Sequence, residues 1–220
     1  MTVLAIDTSE ANCSAALLTV DGKMFAASEP LGRGHAERLL PMIEELLAQA
    51  RITYGDINRI AVTTGPGTFT GLRVGLSVAR GLALSLGVPC VGLSGLIVLA
   101  AQAKSNKGFV HSVIKGRGGQ VFYQAFEVGD ANMPAKALGA AENLDADEAR
   151  MTIENRSGYV LGSGMPLVMG REAGLEDVID PAVLAALSLS LDPENYVPEP
   201  FYLREADAVI AKPIIKIRDQ

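Results

Sequence analysis

The sequence predicts an α/β fold in two lobes, each built from one β-β-β-α-β-α unit. Residues 59–86 show a β-branched strand, a glycine-rich turn and a helix in direct succession. A similar order of elements recurs in the second half of the chain. Hydrophobic residues make up 49% of the 220 residues but aromatic residues only 5%, so the core must consist mainly of Ala, Val, Ile and Leu, as α/β proteins favour.

The composition also narrows the function classes. A formal charge of −6 argues against a broad basic surface, so any contact with nucleic acid would need a partner or a small local patch. Cys13 and Cys90 lie in apolar runs and make no disulfide framework. We see no secretion signal and no apolar span of 18 residues, which predicts a soluble cytoplasmic protein without a membrane partner.

Three strands open the chain. An apolar strand at residues 3–6 stops at Asp7. Residues 13–20 and 23–27 flank Asp21-Gly22, which predicts a hairpin with a two-residue turn.

A helix is predicted next, at residues 36–50, because apolar residues recur there at helical spacing. Pro41 lies inside this pattern, so the helix either starts near it or kinks there. The predicted buried face comprises Leu39, Leu40, Ile43, Leu46, Leu47 and Ala50.

The glycine-rich turn at residues 65–71 carries the most information in the chain. It joins a strand that ends at Thr64 to a helix predicted at residues 72–86. Its backbone N–H groups would lie beside the positive end of the helix dipole, where an anion can bind. The spacing matches no standard phosphate loop, so a plain strand-to-helix turn is the alternative. A strand at residues 88–93 and a helix capped by Ser94 complete this half.

The second half repeats this order less cleanly. We predict, in sequence, strands at residues 109–114, 120–128 and near 136–138, a helix near 146–151, a strand at 158–161 and a helix at 181–191. These elements divide the chain into an N-terminal lobe at 1–104, a degenerate C-terminal lobe at 105–195 and an extended tail at 196–220. A linker is expected at residues 104–108, and Phe201, Tyr202 and Leu203 of the tail are expected to pack on the body.

Small residues recur every fourth position along the helix after the glycine turn. Gly71, Gly75, Ala79 and Ala83 form a stripe that would allow another element to approach closely. Periodicity alone leaves two possibilities, the chain's own sheet or a partner's helix.

The two histidines predict no metal site. His35 and His111 lie far apart, and neither lies beside a second histidine or a Cys/His cluster. We expect His111 to be a core histidine with satisfied hydrogen bonds. His35 is expected in the N-terminal turn of its helix or at an interface.

The Ile6-Asp7-Thr8-Ser9 strand end and the glycine turn, within a duplicated unit, resemble the actin, sugar-kinase and Hsp70 ATPase superfamily, which has a ribonuclease-H-like fold. The resemblance implies that both segments face the nucleotide phosphates and that Asp7 orients the water shell of a metal. The alternative is that Asp7 only caps its own turn. The candidate phosphate-facing residues, as vestiges of that site, are Asp7, Thr8, Ser9, Gly65, Gly67, Thr68 and Thr70.

More specifically, the chain resembles the bacterial TsaB (YeaZ) family of tRNA threonylcarbamoyladenosine biosynthesis. The resemblance rests on residues 6–9, 35–41, 64–73 and 200–204, and it is close over the first hundred residues. In the second half it holds only in outline. There the family usually has an acidic residue followed by Ala-Arg, whereas this chain has Lys115-Gly116-Arg117.

The resemblance implies an accessory subunit without catalytic activity. It would bind the catalytic subunit TsaD, help to recruit the ATPase TsaE, and support threonylcarbamoyl transfer to adenosine 37 of tRNAs that read codons starting with A. It would form a homodimer when alone and meet tRNA only through the complex, which uses ATP and Mg²⁺; the chain alone would hold no cofactor or metal. The first two helices would form the interface, with His35, Leu39, Ile43, Gly71, Gly75 and Ala79 as the candidate residues.

Two rival functions stay open. One is a small-molecule kinase or ATPase of the same fold. Two features argue against it: the chain is short for two full kinase lobes, and Gly162-Ser163-Gly164 is a weak substitute for an adenosine-binding glycine loop. The other is a self-associating structural module.

Overall fold

The computed structural model describes residues 1–103, 108–129 and 135–203. These residues form two sheets and the helices that cover them, which confirms the α/β class. Most of the predicted linker and the last part of the tail, residues 104–107 and 204–220, lie outside the described residues. The division into lobes and tail stays a prediction.

The first sheet has the strand order β3-β2-β1-β4-β5, with β4 and β5 parallel to β1. Its strands are β1 (Val3–Asp7), β2 (Asn12–Leu18), β3 (Met24–Pro30), β4 (Arg59–Gly65) and β5 (Cys90–Ser94). Its helices are α1 (His35–Ala50), α2 (Phe69–Leu86) and α3 (Gly95–Gln102), and a 3-10 helix covers Tyr54–Asp56. The predicted order of elements in this half is therefore correct.

The second sheet has the order β10-β6-β7-β8, and β9 also pairs with β7. Its strands are β6 (Gly108–Lys115), β7 (Gln120–Val128), β8 (Lys136–Ala137), β9 (Glu142–Asp145) and β10 (Tyr159–Leu161). The helices of this half are α4 (Ala146–Asn155), α5 (Met165–Met169) and α6 (Pro181–Ser188), and a 3-10 helix covers Leu175–Asp177.

The layers explain why so much of the chain is apolar. One core cluster lies between the two sheets and takes in residues of α3 and α6. A second cluster joins the outer face of the first sheet to α1 and α2, and a third joins the second sheet to α4 and α5. Helices that are covered on two sides need apolar residues around most of their circumference, as the sequences of α3 and α6 show.

Three local predictions need correction. The first hairpin has a three-residue turn, because Thr19 and Lys23 still pair and Gly22 takes a φ of 81°. Such turns place glycine in the left-handed region at their last position. The helix α1 begins at His35 and runs through Pro41, so it does not start near Pro41. Leu40 is 41% exposed and does not belong to the buried face.

Within the described residues, we find no helix long and apolar enough to cross a membrane.

Candidate functional site

The site predicted from the sequence lies at one edge of the first sheet. Strands β1 and β4 are parallel neighbours, so the residues that follow Asp7 and those that follow Thr64 emerge at the same edge. The structure therefore brings together the segment Asp7-Thr8-Ser9 and the glycine turn, as expected.

Asp7 is a buried hydrogen-bond acceptor at the centre of this edge. Asp7 is only 1% exposed. The oxygen Oδ1 accepts hydrogen bonds from Thr63 Oγ1 at 2.5 Å, from Ser9 Oγ at 2.7 Å and from the Ser9 N–H at 3.1 Å. Burial raises the pKa of the Asp7 carboxyl, while these hydrogen bonds oppose the rise. The bond from the Ser9 N–H is the one that the turn-cap alternative requires.

The glycine turn packs directly on the segment after β1. The Thr68 N–H donates to the Ser9 carbonyl at 2.7 Å, and Thr8 Oγ1 donates to the Gly71 carbonyl at 2.7 Å. Thr68 also caps α2, because its Oγ1 accepts from the Gly71 N–H. The N–H of Thr68, a donor that could have faced a phosphate, is thus already bonded within the protein.

Two glycines are needed here for close approach. A Cβ at Gly67 would lie 2.1 Å from the Ser9 carbonyl oxygen, and one at Gly71 would lie 2.1 Å from the Thr8 carbonyl oxygen. Gly65 is different, since its φ is 109° and a Cβ there would lie 3.0 Å from the Phe201 carbonyl oxygen. The tail therefore covers the turn from the outside.

We expect Gly67→Ala to lower the free energy of unfolding by about 1–3 kcal/mol, because the backbone must move to relieve the clash with Ser9. Gly139→Ala is the matched control, since a Cβ there meets nothing within 4 Å. Urea unfolding of both variants measures the difference. Equal stability of the two would show that the turn does not press on Ser9.

Thr70 and Phe69 lie on the exposed first turn of α2, and the N-cap residue Thr68 is exposed as well. Of the seven candidate residues, Asp7, Thr8, Ser9 and Gly65 are buried. The candidates thus cluster as predicted, but their polar groups largely bind one another.

The predicted interface residues are buried within the single chain, and their role at a contact surface stays a prediction. His35 is 8% exposed, while Leu39, Ile43 and Ala79 are fully buried. Gly71 and Gly75 are also buried. The small-residue stripe faces the chain's own first sheet: a Cβ at Gly75 would lie 2.5 Å from Thr8 Oγ1 and within 4 Å of Ile6 and Val62.

His111 is a satisfied core histidine, as predicted. Its Nδ1 lies 2.8 Å from the Tyr123 hydroxyl and its Nε2 lies 2.8 Å from the Arg156 carbonyl. A carbonyl can only accept, so Nε2 carries the proton and Nδ1 accepts from Tyr123. Burial lowers the pKa of His111.

No cluster of three His, Cys, Asp or Glu side chains suited to a metal occurs within residues 1–103, 108–129 and 135–203. His35 Nε2 is buried and has no hydrogen-bond partner among the residues that the structure describes.

Asp177 was not predicted from the sequence, and it shapes the turn after β10 in the second half. This residue is fully buried, and it accepts hydrogen bonds from the Gly162 N–H at 2.9 Å and the Gly174 N–H at 2.8 Å. Arg171 forms an ion pair with it at 3.0 Å. Asp177 thereby fixes Gly162-Ser163-Gly164, the turn after β10.

Comparisons with known proteins identify the family of this chain. A family model described as TsaD, tRNA N6-adenosine threonylcarbamoyltransferase, matches residues 29–160, which is more than half of the chain. The tRNA threonylcarbamoyladenosine biosynthesis protein TsaB of Escherichia coli is 39% identical over 129 residues, covering 58% of this chain and 55% of that protein. The TsaB protein of Bacillus subtilis is 36% identical over 122 residues, covering 56% and 53% respectively. The match thus spans about half the length of these curated relatives.

A solved structure covers more of the chain. YeaZ from Pseudomonas aeruginosa is 27% identical and superimposes with a TM-score of 0.73, covering 92% of this chain and 99% of that one. The match therefore extends over both sheets. The chain belongs to the TsaD family and, within it, to the TsaB (YeaZ) proteins of the actin-like ATPase fold.

Proposed function

We propose that the chain is an accessory subunit of tRNA threonylcarbamoyladenosine biosynthesis that binds TsaD and has no catalytic activity of its own. The names of its TsaB relatives support the pathway. Within this proposal it helps to recruit TsaE, contacts tRNA only through the complex, and works in the cytoplasm, where tRNA is modified. The complex uses ATP and Mg²⁺.

The burial and the hydrogen bonds of Asp7 are the observation that supports the proposed lack of catalytic activity. In an ATPase of this fold, the residue at this position must be open to the water shell of a metal. Here Asp7 is buried at 1% exposure and one of its oxygens already accepts three hydrogen bonds. Because the glycine turn also closes on Ser9, the edge supports a structural role better than a phosphate site.

The outer faces of α1 and α2 are the surface that we propose for TsaD. The exposed side of α2 carries Arg73 and Arg80, and α2 contains no acidic residue. Leu84 on the same side is 86% exposed. The neighbouring face of α1 is acidic, with Glu37 and Glu44 exposed.

This surface has a basic strip and an acidic strip beside an exposed leucine, so it suits a partner whose charges are arranged in the opposite order. A second copy of the chain can meet the same condition, with the basic strip of each copy facing the acidic strip of the other. We therefore propose that the same faces form a homodimer when TsaD is absent. The buried stripe of α2 contributes by holding the helix flat against its sheet.

Reconstitution with TsaD, TsaE, tRNA and ATP tests this proposal. We expect modified tRNA only when the chain is added, and no ATP turnover above background by the chain alone. Leu84→Glu should fold normally but weaken TsaD binding by about tenfold or more, as loss of a central apolar contact does. Leu175→Glu is the matched control, because Leu175 is 92% exposed on the second half.

The outcomes separate the rivals. Equal binding by both leucine variants would place the interface elsewhere. ATP turnover by the chain alone that Asp7→Ala abolishes would favour the kinase or ATPase. Self-association without any effect on tRNA modification would favour the structural module.

A further inference from the structure

Strand β3 is an open edge of the first sheet. It pairs with β2 on one side, and no strand among the residues that the structure describes pairs with its other side. Exposed and half-buried residues alternate along its whole length, so no neighbouring element covers it. The outer edge of such a strand carries backbone N–H and C=O groups without ladder partners, and these groups can pair with a strand of another chain.

Two backbone hydrogen bonds at the ends of the first hairpin show which groups of β3 point outward. The Thr19 N–H donates to the Lys23 carbonyl at 2.9 Å, and the Leu31 N–H donates to the Ala11 carbonyl at 3.1 Å. The register between these two pairs is regular, without a bulge. Bonded and non-bonded pairs alternate in an antiparallel ladder, so every second residue of β3 directs its backbone groups away from β2. These outward residues are Met24, Ala26, Ser28 and Pro30.

The outer edge of β3 is not protected over most of its length. Proteins usually protect an open edge with a bulge, a charged side chain or a proline. Met24, Ala26 and Ser28 have outward N–H groups and carry no charge. Proline stands only at the last residue of the strand, Pro30, where it cannot donate. The stretch that can pair therefore runs from Met24 to Ser28.

A second copy of β3 fits this edge in one antiparallel register, with a two-fold axis at Ala26. In this register Ala26 lies opposite Ala26 of the partner subunit, and Met24 lies opposite Ser28 of the partner subunit. Each of these pairs exchanges two hydrogen bonds, so every outward N–H of both copies gains an acceptor. A shift of the axis to Ser28 would place Pro30 opposite Ala26 and lose a donor. A shift to Met24 would bring the turn at residues 20–22 into the ladder.

The register centred on Ala26 also matches the charges and the apolar side chains. Lys23 lies opposite Glu29 of the partner subunit, and the two-fold axis repeats this pair. The Lys23 side chain is 71% exposed and that of Glu29 is 39% exposed, so both can reach across. Phe25, which is half-buried, lies opposite Ala27 of the partner subunit. Opposite charges and apolar side chains that face each other across two strands stabilise the pairing.

We propose that β3 binds β3 of a second copy of this chain across a two-fold axis at Ala26, which joins two five-stranded sheets into one sheet of ten strands. The contact goes beyond the function proposed above. Helix α2 packs on β4 and β1, away from this edge, so the exposed face around Leu84 stays free for TsaD. The edge contact can therefore join two copies that each bind a partner through α2.

Cysteine cross-linking tests the register. Ala26→Cys places two thiols opposite each other with Cα atoms about 5.5 Å apart, which is within the range of a disulfide. Met24→Cys is the matched control on the same face of β3, because the two copies of residue 24 would lie about 13 Å apart along the strands. Under the same mild oxidation, we expect Ala26→Cys to form a disulfide dimer about tenfold or more faster than Met24→Cys. Cys13 and Cys90 are present in both variants, so their background is shared. Equal rates on non-reducing gels would overturn the proposal.

Amide exchange in the unmodified chain decides independently. Between about 0.05 and 1 mM protein, we expect exchange at the Ala26 N–H to slow by about threefold or more, as mass action favours the dimer. The N–H groups of Phe25 and Ala27, which bond β2, are internal controls and should not change. A rate at Ala26 that is the same at both concentrations would overturn the proposal, whether the N–H is free or is covered by another segment of the same chain.

Two substitutions at position 26 link this protection to the backbone. Ala26→Pro removes the central outward N–H but breaks no bond to β2, so it should abolish the concentration dependence at Met24 and Ser28. Ala26→Val keeps the N–H and favours a strand, so it should retain that dependence. Retained dependence in Ala26→Pro would show that the copies meet elsewhere, and it would contradict the proposal.

Discussion

Replacing Gly75 with glutamate is expected to unfold the chain or to cost more than about 4 kcal/mol of its stability. A Cβ at this position would already lie 2.5 Å from Thr8 Oγ1, and the rest of the side chain would enter the apolar layer around Ile6 and Val62. Overpacking and an unpaired buried carboxylate would act together. Single domains are stable by only about 5–15 kcal/mol, so this loss is a large part of the whole.

Gly81→Glu on the same helix is the matched control. Gly81 is exposed, and a Cβ there would meet nothing within 4 Å. Glutamate at an exposed helical position gains roughly 0.5 kcal/mol in helix propensity over glycine. Thermal melts with size-exclusion chromatography measure both variants. A folded Gly75→Glu with the melting temperature of the wild type would mean that this stripe does not face the sheet.

The small-residue stripe of α2 shows which part of the structure could not be predicted from the sequence. Small residues at every fourth position predict close approach, and the structure has that close approach. The pattern says nothing about what approaches, because a sheet of the same chain and a helix of a partner make the same demand. The answer depends on Thr8, which lies 67 positions before Gly75 in the sequence. Only the tertiary structure brings them together.

The first half was predictable because its signals are local. The strand β4, the glycine turn and the Ser94 cap each depend on neighbouring residues. The strand β9 (Glu142–Asp145) was missed because two of its four residues are acidic and its order comes from pairing with β7. The short helix α5 was missed as well, since five residues are too few for a period to show.

The remaining large effect is expected at Asp177, for which the local sequence offered no signal. Its two backbone partners are Gly174, three residues away, and Gly162, fifteen residues away. Asp177→Asn keeps the shape of the side chain but removes its charge, and its amide nitrogen can no longer accept. One buried N–H then loses its acceptor, and the ion pair with Arg171 is lost.

We expect Asp177→Asn to lower the free energy of unfolding by about 1–3 kcal/mol, which is the cost of one unsatisfied buried donor. Arg171 adds little to this figure, because its side chain is 45% exposed and water can replace the lost partner. Glu176→Gln is the matched control, since the Glu176 side chain is 52% exposed and its loss should change stability by less than about 0.5 kcal/mol. Urea unfolding compares the two. If both variants are equally stable, Asp177 does not hold the turn after β10.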